Sequence, residues 1–175
     1  MQKNIIKLSI ISLIIFIIGV FFIGLNKSSI YDTKNLVGQK ITNIQLDHFS
    51  ENRIITGEDL KKNDFTLINF WASWCAPCRD EHSMLLKLNN DEKNLNILGV
   101  NFKDKKKNAL KFLKDLGDPY DDIARDEFGK DSINFGIYGI PESILINKDL
   151  VIIKKFIGTI SKDDYNIIKQ IIRKQ

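Results

Sequence analysis

The feature that most constrains this chain is an uncharged stretch of 18 residues near its N-terminus, from Leu8 to Leu25. Only two serines and two glycines interrupt its apolar character. That length is sufficient for a membrane-spanning helix, since a helix from Ile5 to Leu25 would extend about 30 Å, the thickness of the hydrocarbon layer. A cleaved signal peptide is the alternative, but its apolar region is normally shorter and a small-x-small cleavage pattern is missing here. The sequence therefore predicts an uncleaved transmembrane anchor over residues 1–26.

The charges that flank this stretch predict its orientation. Lys3 and Lys7 precede it, whereas Lys27 and Asp32 nearly cancel each other beyond it. Because positive charge is retained on the cytoplasmic side, the N-terminus is expected in the cytoplasm and the remainder of the chain on the opposite side. We expect a polar tether over residues 27–40 and one folded domain over residues 41–175.

The net charge of the folded part excludes one class of function. The whole chain has 26 Lys and Arg against 22 Asp and Glu, a net charge of +4. The first 30 residues contain three lysines and no acid, so the remaining 145 residues carry a net charge of only +1. A nucleic-acid-binding domain should present a basic surface, and a nearly neutral body argues against one.

Two continuous apolar runs, Phe65–Trp71 and Leu95–Phe102, predict strands that are buried on both faces. A helix is expected between them, because Pro77 is tolerated in a first helical turn and apolar residues then recur at helical spacing. Another helix should end at Gly117. The first strand, the helix and the second strand together form a βαβ unit.

The C-terminal third of the chain predicts an antiparallel hairpin and a final helix. The hairpin strands are residues 143–146 and 151–157, joined by a short polar turn. Ser161 and Asp164 have the spacing of a capping box, and the helix that follows carries one apolar stripe: Ile167, Ile168, Ile171 and Ile172. The predicted fold is therefore an α/β domain with a mixed sheet and helices on both faces.

The two cysteines of the chain lie at the junction between the first predicted strand and its helix, in Trp74-Cys75-Ala76-Pro77-Cys78. The free N–H groups and the dipole of a helix N-terminus favour a thiolate, which is the form that attacks a disulfide. Cys75 is therefore predicted to be the nucleophile. Cys78, one turn further, can resolve a mixed disulfide by closing a small ring.

Two other interpretations of the cysteines stay open at this point. A purely structural disulfide is possible outside the cytoplasm, although so short a loop constrains the unfolded chain little. A zinc site could use Cys75, Cys78 and His82, but structural zinc needs four ligands and His48 is the only other histidine. His82 is more simply a solvated or capping helix residue, and no metal is expected.

The segment Phe70–Arg79, after a buried strand, resembles the active-site segment of the thioredoxin superfamily. The segment Gly136–Ser143, which contains Gly-Ile-Pro-Glu, is similar to the segment with the cis-proline in the membrane-anchored thiol reductases of cytochrome c maturation, the DsbE (CcmG) branch. The similarity covers residues 36–175 and includes three further segments: Arg79–His82, Asn101–Asp104 and Leu116–Tyr120. It implies a thioredoxin-like three-layer fold, preceded here by the transmembrane helix.

The resemblance also implies roles for residues beside the cysteines. A cis bond before Pro141 would let its loop lie against the sulfurs, with the backbone of Ile140 free to pair with a substrate; an ordinary turn is the alternative. Trp74 should shield one side of the nucleophile. Where thioredoxins have a buried acid in the preceding strand this chain has Asn69, so Glu81 and Glu142 are the candidates to exchange a proton with Cys78, unless both are merely solvated.

By this resemblance the chain is a thiol-disulfide oxidoreductase of the bacterial inner membrane, with its catalytic domain in the periplasm and no cofactor. Electrons would come from a transmembrane thiol donor. They would go to the heme-attachment cysteines of apocytochrome c, or to a thiol partner of cytochrome c maturation. The alternatives are a general extracytoplasmic reductase, a peroxide-reducing enzyme, which lacks support because no cysteine precedes Cys75, and a non-catalytic anchored binding module.

Overall fold

A computed structural model of the chain describes residues 2–26 and 36–174. Residues 2–26 belong to one compact unit and residues 36–174 to a second. The first unit contains the helix α1, Gln2–Asn26, in which Asn4–Phe22 is long and apolar enough to cross a membrane. Residues 27–35 of the predicted tether lie outside the described residues. Of its remaining residues, Gly38 donates to Ile152 O at 2.8 Å, so this part of the tether is attached to the sheet.

The second unit contains seven strands and five helices within the described residues. In chain order they are β1 (Gln45–His48), β2 (Ile54–Thr56), α2 (Gly57–Leu60), β3 (Phe65–Trp71), α3 (Ala76–Asp91), β4 (Leu95–Phe102), α4 (Lys106–Leu116), β5 (Asp122–Asp126), α5 (Lys130–Asn134), β6 (Glu142–Asn147), β7 (Ile152–Ile157) and α6 (Lys162–Arg173).

All seven strands form one mixed sheet in the order β2-β1-β5-β4-β3-β6-β7. β3, β4 and β5 are parallel, and every other pair is antiparallel. β3 is an interior strand between β4 and β6, and all seven of its residues are buried. One apolar cluster packs α3, α4 and α6 against one face, and a second covers the other face with Leu60 of α2 and with Phe135 after α5. The predicted mixed sheet with helices on both faces is therefore confirmed.

The elements that position the cysteines agree with the sequence predictions. β3 and β4 have the predicted bounds, and they are parallel with α3 between them. α4 ends at Gly117, whose φ of 92° favours glycine. β6 and β7 form the predicted hairpin, and Ser161 and Asp164 form the capping box of α6. The short elements β1, β2, α2, β5 and α5 were not predicted.

Candidate active site

Cys75 and Cys78 form a disulfide at the N-terminus of α3. β3 ends at Trp71, and the turn that follows brings Cys75 to the N-cap position with Pro77 in the first turn of the helix. Cys75 Sγ accepts a hydrogen bond of 3.1 Å from the backbone N–H of Cys78. That N–H is one of the donors that a helix N-terminus leaves free, so it remains available to a thiolate at Cys75 once the disulfide is reduced.

The turn before the cysteines is attached to the segment after β4. Asp104 accepts hydrogen bonds from Ser73 N at 2.6 Å and from Ser73 Oγ at 2.9 Å. Trp74 Nε1 donates to Lys103 O at 3.1 Å, and 59% of the Trp74 surface is exposed. Trp74 is therefore an exposed neighbour of Cys75 in sequence, and one end of its ring is fixed by a hydrogen bond; that it shields the nucleophile stays a prediction.

The bond between Ile140 and Pro141 is cis, as the resemblance implied. Pro141 is buried, and Ile140 packs against the apolar cluster that contains both cysteines. Residues 136–141, here called the cis-proline loop, therefore reach the core of the disulfide through Ile140, whereas Ile137 belongs to the cluster on the other face of the sheet. Tyr138 in this loop is 67% exposed.

Glu142 follows the cis-proline loop and is engaged in an ion pair. Its Oε2 lies 2.7 Å from Nζ of Lys155 on β7. Its Oε1 accepts from Gly139 N at 3.2 Å, and Lys155 Nζ donates to Gly136 O at 2.7 Å. Both side chains are buried. Glu142 is thus paired with a positive charge and holds the loop through Gly139. The sequence analysis did not identify its partner Lys155.

Glu81 is buried on α3, one turn after Cys78 and on the same helix face. Its Oε1 accepts from Asn69 Nδ2 at 2.8 Å, and its Oε2 accepts from Ile160 N at 2.7 Å. Burial raises the pKa of Glu81 to about 7, although both hydrogen bonds act in the opposite direction. A carboxyl group with this pKa can both give and take a proton near neutral pH.

Asn69 connects Glu81 to two further polar groups that sequence reasoning missed. Its Nδ2 also donates to Ser143 Oγ at 2.9 Å, and its Oδ1 accepts from the hydroxyl of Tyr120 at 2.9 Å. All these side chains are buried. Tyr120 belongs to the segment Leu116–Tyr120 that carried part of the resemblance, and that membership was the only signal for it in the sequence.

The prediction that His82 is solvated is wrong. His82 is 3% exposed, and its ring packs edge-on against Phe112 of α4. Nε2 donates to Gly117 O at 2.8 Å, so the capping alternative holds, at the end of a different helix. Burial lowers the pKa of His82. Within residues 2–26 and 36–174, no group of three or more His, Cys, Asp and Glu side chains is arranged to hold a metal.

Comparisons with known proteins agree with this geometry. The Redoxin family model matches residues 36–172. The thiol:disulfide interchange protein CycY of Rhizobium leguminosarum is 50% identical over 97 residues, which span 55% of this chain and about half, 52%, of CycY. DsbE of Haemophilus influenzae is 35% identical over 73% of this chain and 69% of its own length. DsbE of Vibrio cholerae is 30% identical over 94% of this chain and 91% of its own length.

Solved structures show the same fold. A crystal structure from Chlorobium tepidum, assigned as a thiol:disulfide interchange protein DsbE, superposes with a TM-score of 0.66 at 25% identity. The superposition covers 79% of this chain and 96% of that one.

Proposed function

Because the chain belongs to the Redoxin family, in its DsbE branch of thioredoxin-like thiol:disulfide interchange proteins, we propose that it is a membrane-tethered reductant of cytochrome c maturation. The activity itself is that of a thiol-disulfide oxidoreductase. The observation that carries the proposal is the Cys75–Cys78 disulfide, with Cys75 at the N-cap of α3 and Ile140 of the cis-proline loop packed against the same core.

The catalytic cycle begins with reduction of this disulfide. A donor thiolate attacks Cys75 Sγ, the bond between the cysteines breaks, and Cys78 leaves as a thiolate that Glu81 protonates. A second donor thiolate then releases Cys75. Two electrons have entered the protein and the donor has become a disulfide.

The reduced protein then transfers the electrons to its substrate. The Cys75 thiolate attacks a substrate disulfide, a mixed disulfide forms, and one substrate thiolate leaves. Cys78 gives its proton to Glu81 and attacks Cys75 Sγ. The active-site disulfide closes, and the second substrate sulfur leaves with the electron pair and is protonated by solvent. Glu81 suits both half-cycles because a pKa of about 7 permits either protonation state near neutral pH.

We further propose the partners and the location. The electron donor would be a thiol carrier within the membrane, and the acceptor the heme-attachment cysteines of apocytochrome c or a maturation partner that holds them in a disulfide. Residues 1–26 would anchor the chain in the bacterial inner membrane, residues 27–40 would tether it, and the domain of residues 41–175 would face the periplasm. Lys3 and Lys7 before the apolar stretch support this orientation.

The test of function is capture of the substrate in the native host. The variant Cys78→Ser should attack a substrate through Cys75 and then remain joined to it, because the resolving thiol is gone. The double variant Cys75→Ser/Cys78→Ser, with no nucleophile, is the control and should capture nothing. Adducts with apocytochrome c or with cytochrome c maturation proteins support the proposal. A range of unrelated extracytoplasmic proteins would point to a general reductase, and no adduct at all would refute catalysis by Cys75.

The test of location is protease accessibility in spheroplasts. A tag at the C-terminus should be digested without lysis. A protected C-terminal tag would contradict the proposed orientation.

A further inference from the structure

Tyr120 is a buried phenol that the catalytic cycle above does not use. Its ring stacks on Trp71, with ring centroids 5.3 Å apart and an interplanar angle of 20°. Gly99 on β4 leaves room for it, since a Cβ there would lie 2.7 Å from Tyr120 Cδ1. Its hydroxyl donates to Asn69 Oδ1 at 2.9 Å. The ring is therefore confined by its neighbours and its hydroxyl has a defined acceptor.

This contact completes the hydrogen bonding of the Asn69 amide. The two N–H bonds of Nδ2 are used by Glu81 Oε1 and by Ser143 Oγ, and Oδ1 is used by the Tyr120 hydroxyl. A flipped amide would turn Oδ1 toward the Glu81 carboxylate, where two acceptors would face each other. Burial makes such a mismatch costly. The Glu81 carboxylate thus fixes the orientation of the amide. The Tyr120 hydroxyl donates to Oδ1, which polarises the amide and strengthens the N–H that Asn69 donates to Glu81.

We propose that Tyr120 is a positioning residue for proton transfer between Cys78 and Glu81, acting through the amide of Asn69. This inference rests on the proposed role of Glu81 and extends it to a residue in the segment between α4 and β5. As a positioning residue, Tyr120 acts through Asn69 and takes no part in the bond changes at the sulfurs. Its function is to keep the ionised form of Glu81 hydrogen-bonded, so that Glu81 can accept a proton at neutral pH.

The groups around Glu81 give the direction of the effect. β3 faces it with the uncharged Asn69, which also bonds Ser143 on β6, and the segment before α6 faces it with the N–H of Ile160. Tyr120 interacts electrostatically with Glu81 and with Asp118. On α3 the ionisable residues within three positions of Glu81 are Cys78, Arg79, Asp80 and His82. Burial raises the pKa of Glu81 and the Asn69 N–H lowers it. A weaker hydrogen bond from Asn69 should therefore raise the pKa of Glu81 further.

The experiment separates attack by Cys75 from resolution by Cys78. The reduced full-length protein is mixed with Ellman's reagent in a stopped-flow instrument across the pH range around 7. The first release of chromogenic thiolate reports attack by Cys75, and the second reports resolution by Cys78. Wild type, Tyr120→Phe, Glu81→Gln and the control Tyr165→Phe are compared.

Tyr120→Phe removes only the hydroxyl and keeps the stacked ring. It should move the pH midpoint of the second phase upward by about one unit, which corresponds to a loss of about fivefold in the rate at pH 7. The first phase should be unchanged. Tyr165→Phe removes another largely buried hydroxyl, the donor to Asp91, and should change neither phase. Loss of packing or stability alone would not move a pH midpoint.

A second measurement retains the shape of the side chain. A ring-fluorinated tyrosine at position 120 is a stronger O–H donor, so the midpoint should move downward. An unmoved midpoint in Tyr120→Phe and with the fluorinated residue would overturn the inference. The role of Glu81 would still stand if the pH dependence of the second phase disappears in Glu81→Gln. If Glu81→Gln itself has a wild-type pH profile, the role of Glu81 and this inference both fail. The Cys78→Ser capture experiment would still test the proposed function.

Discussion

Lys155 and Glu142 form a buried ion pair in which Nζ lies 2.7 Å from Oε2, with 1% and 8% of the two side chains exposed. The pair links β7 to the start of β6, directly after the cis-proline loop. Lys155 also bonds Gly136 at the beginning of that loop, and Glu142 bonds Gly139 near its end. One pair of charges therefore fastens both ends of the loop that packs beside the active site.

Removal of one member of this pair should be much more harmful than removal of both. Lys155→Met leaves the Glu142 carboxylate buried without a counter-charge, which should lower the free energy of unfolding by about 3–5 kcal/mol. The double variant Lys155→Met/Glu142→Gln should recover much of this loss. Urea unfolding of the oxidised protein measures both effects.

A matched control for this prediction is Lys61→Met. Lys61 pairs with Glu58 in solvent, so its loss should change stability little. If Lys155→Met costs no more than Lys61→Met, the buried pair does not anchor the loop.

Glu81 should make the stability of the folded domain depend on pH. Its pKa is raised from 4.5 to about 7 in the folded state, so the folded protein binds a proton more tightly than the unfolded chain. The contribution is complete below pH 4.5 and is lost as the pH rises through about 7. Relative to Glu81→Gln, the wild type should lose about 3 kcal/mol over this window. Parallel pH dependences of the two proteins would contradict the raised pKa.

Asp104 should stabilise the turn before the cysteines. It accepts both the backbone N–H and the hydroxyl of Ser73, and Asn101 Nδ2 donates to it at 3.2 Å. Asp104→Ala should lower the free energy of unfolding by about 2 kcal/mol and slow the reaction of Cys75 with Ellman's reagent. The control Asp115→Ala removes an exposed partner of Lys111 and should leave both measurements near wild type. A wild-type rate in Asp104→Ala would show that the turn holds its geometry without this carboxylate.

The sequence predicted the buried strands that are continuous runs of apolar residues. β3 and β4 are such runs, and their bounds could be read directly. β5 could not be predicted, because its five residues include Asp122, Arg125 and Asp126, and it becomes a strand through pairing with β4 and β1. Tertiary pairing here overrides a sequence with low strand propensity.

The candidate site likewise contains residues that local sequence patterns predict and residues that depend on long-range contacts. The position of Cys75 and Cys78 follows from local rules, since a strand, a turn and a proline predict where the helix begins. The Tyr120–Asn69 contact joins residues 51 positions apart, and no local pattern reports it. His82 was misassigned for the same reason, because its burial depends on contacts with Phe112 of α4 and with Gly117, at least 30 positions away in sequence.

Gly99→Ala should show how tightly the Tyr120 pocket is packed. A Cβ at Gly99 would lie 2.7 Å from Tyr120 Cδ1 and 2.9 Å from Trp71 Nε1, in the interior of the central sheet. Both rings are confined, so the added methyl group should cost about 1–3 kcal/mol of unfolding free energy through overpacking. The displaced ring should also weaken the Tyr120–Asn69 hydrogen bond, and the pH midpoint of Cys78 resolution should rise as it does in Tyr120→Phe. A stability equal to wild type, measured by urea unfolding, would contradict the close packing of Gly99 against this ring.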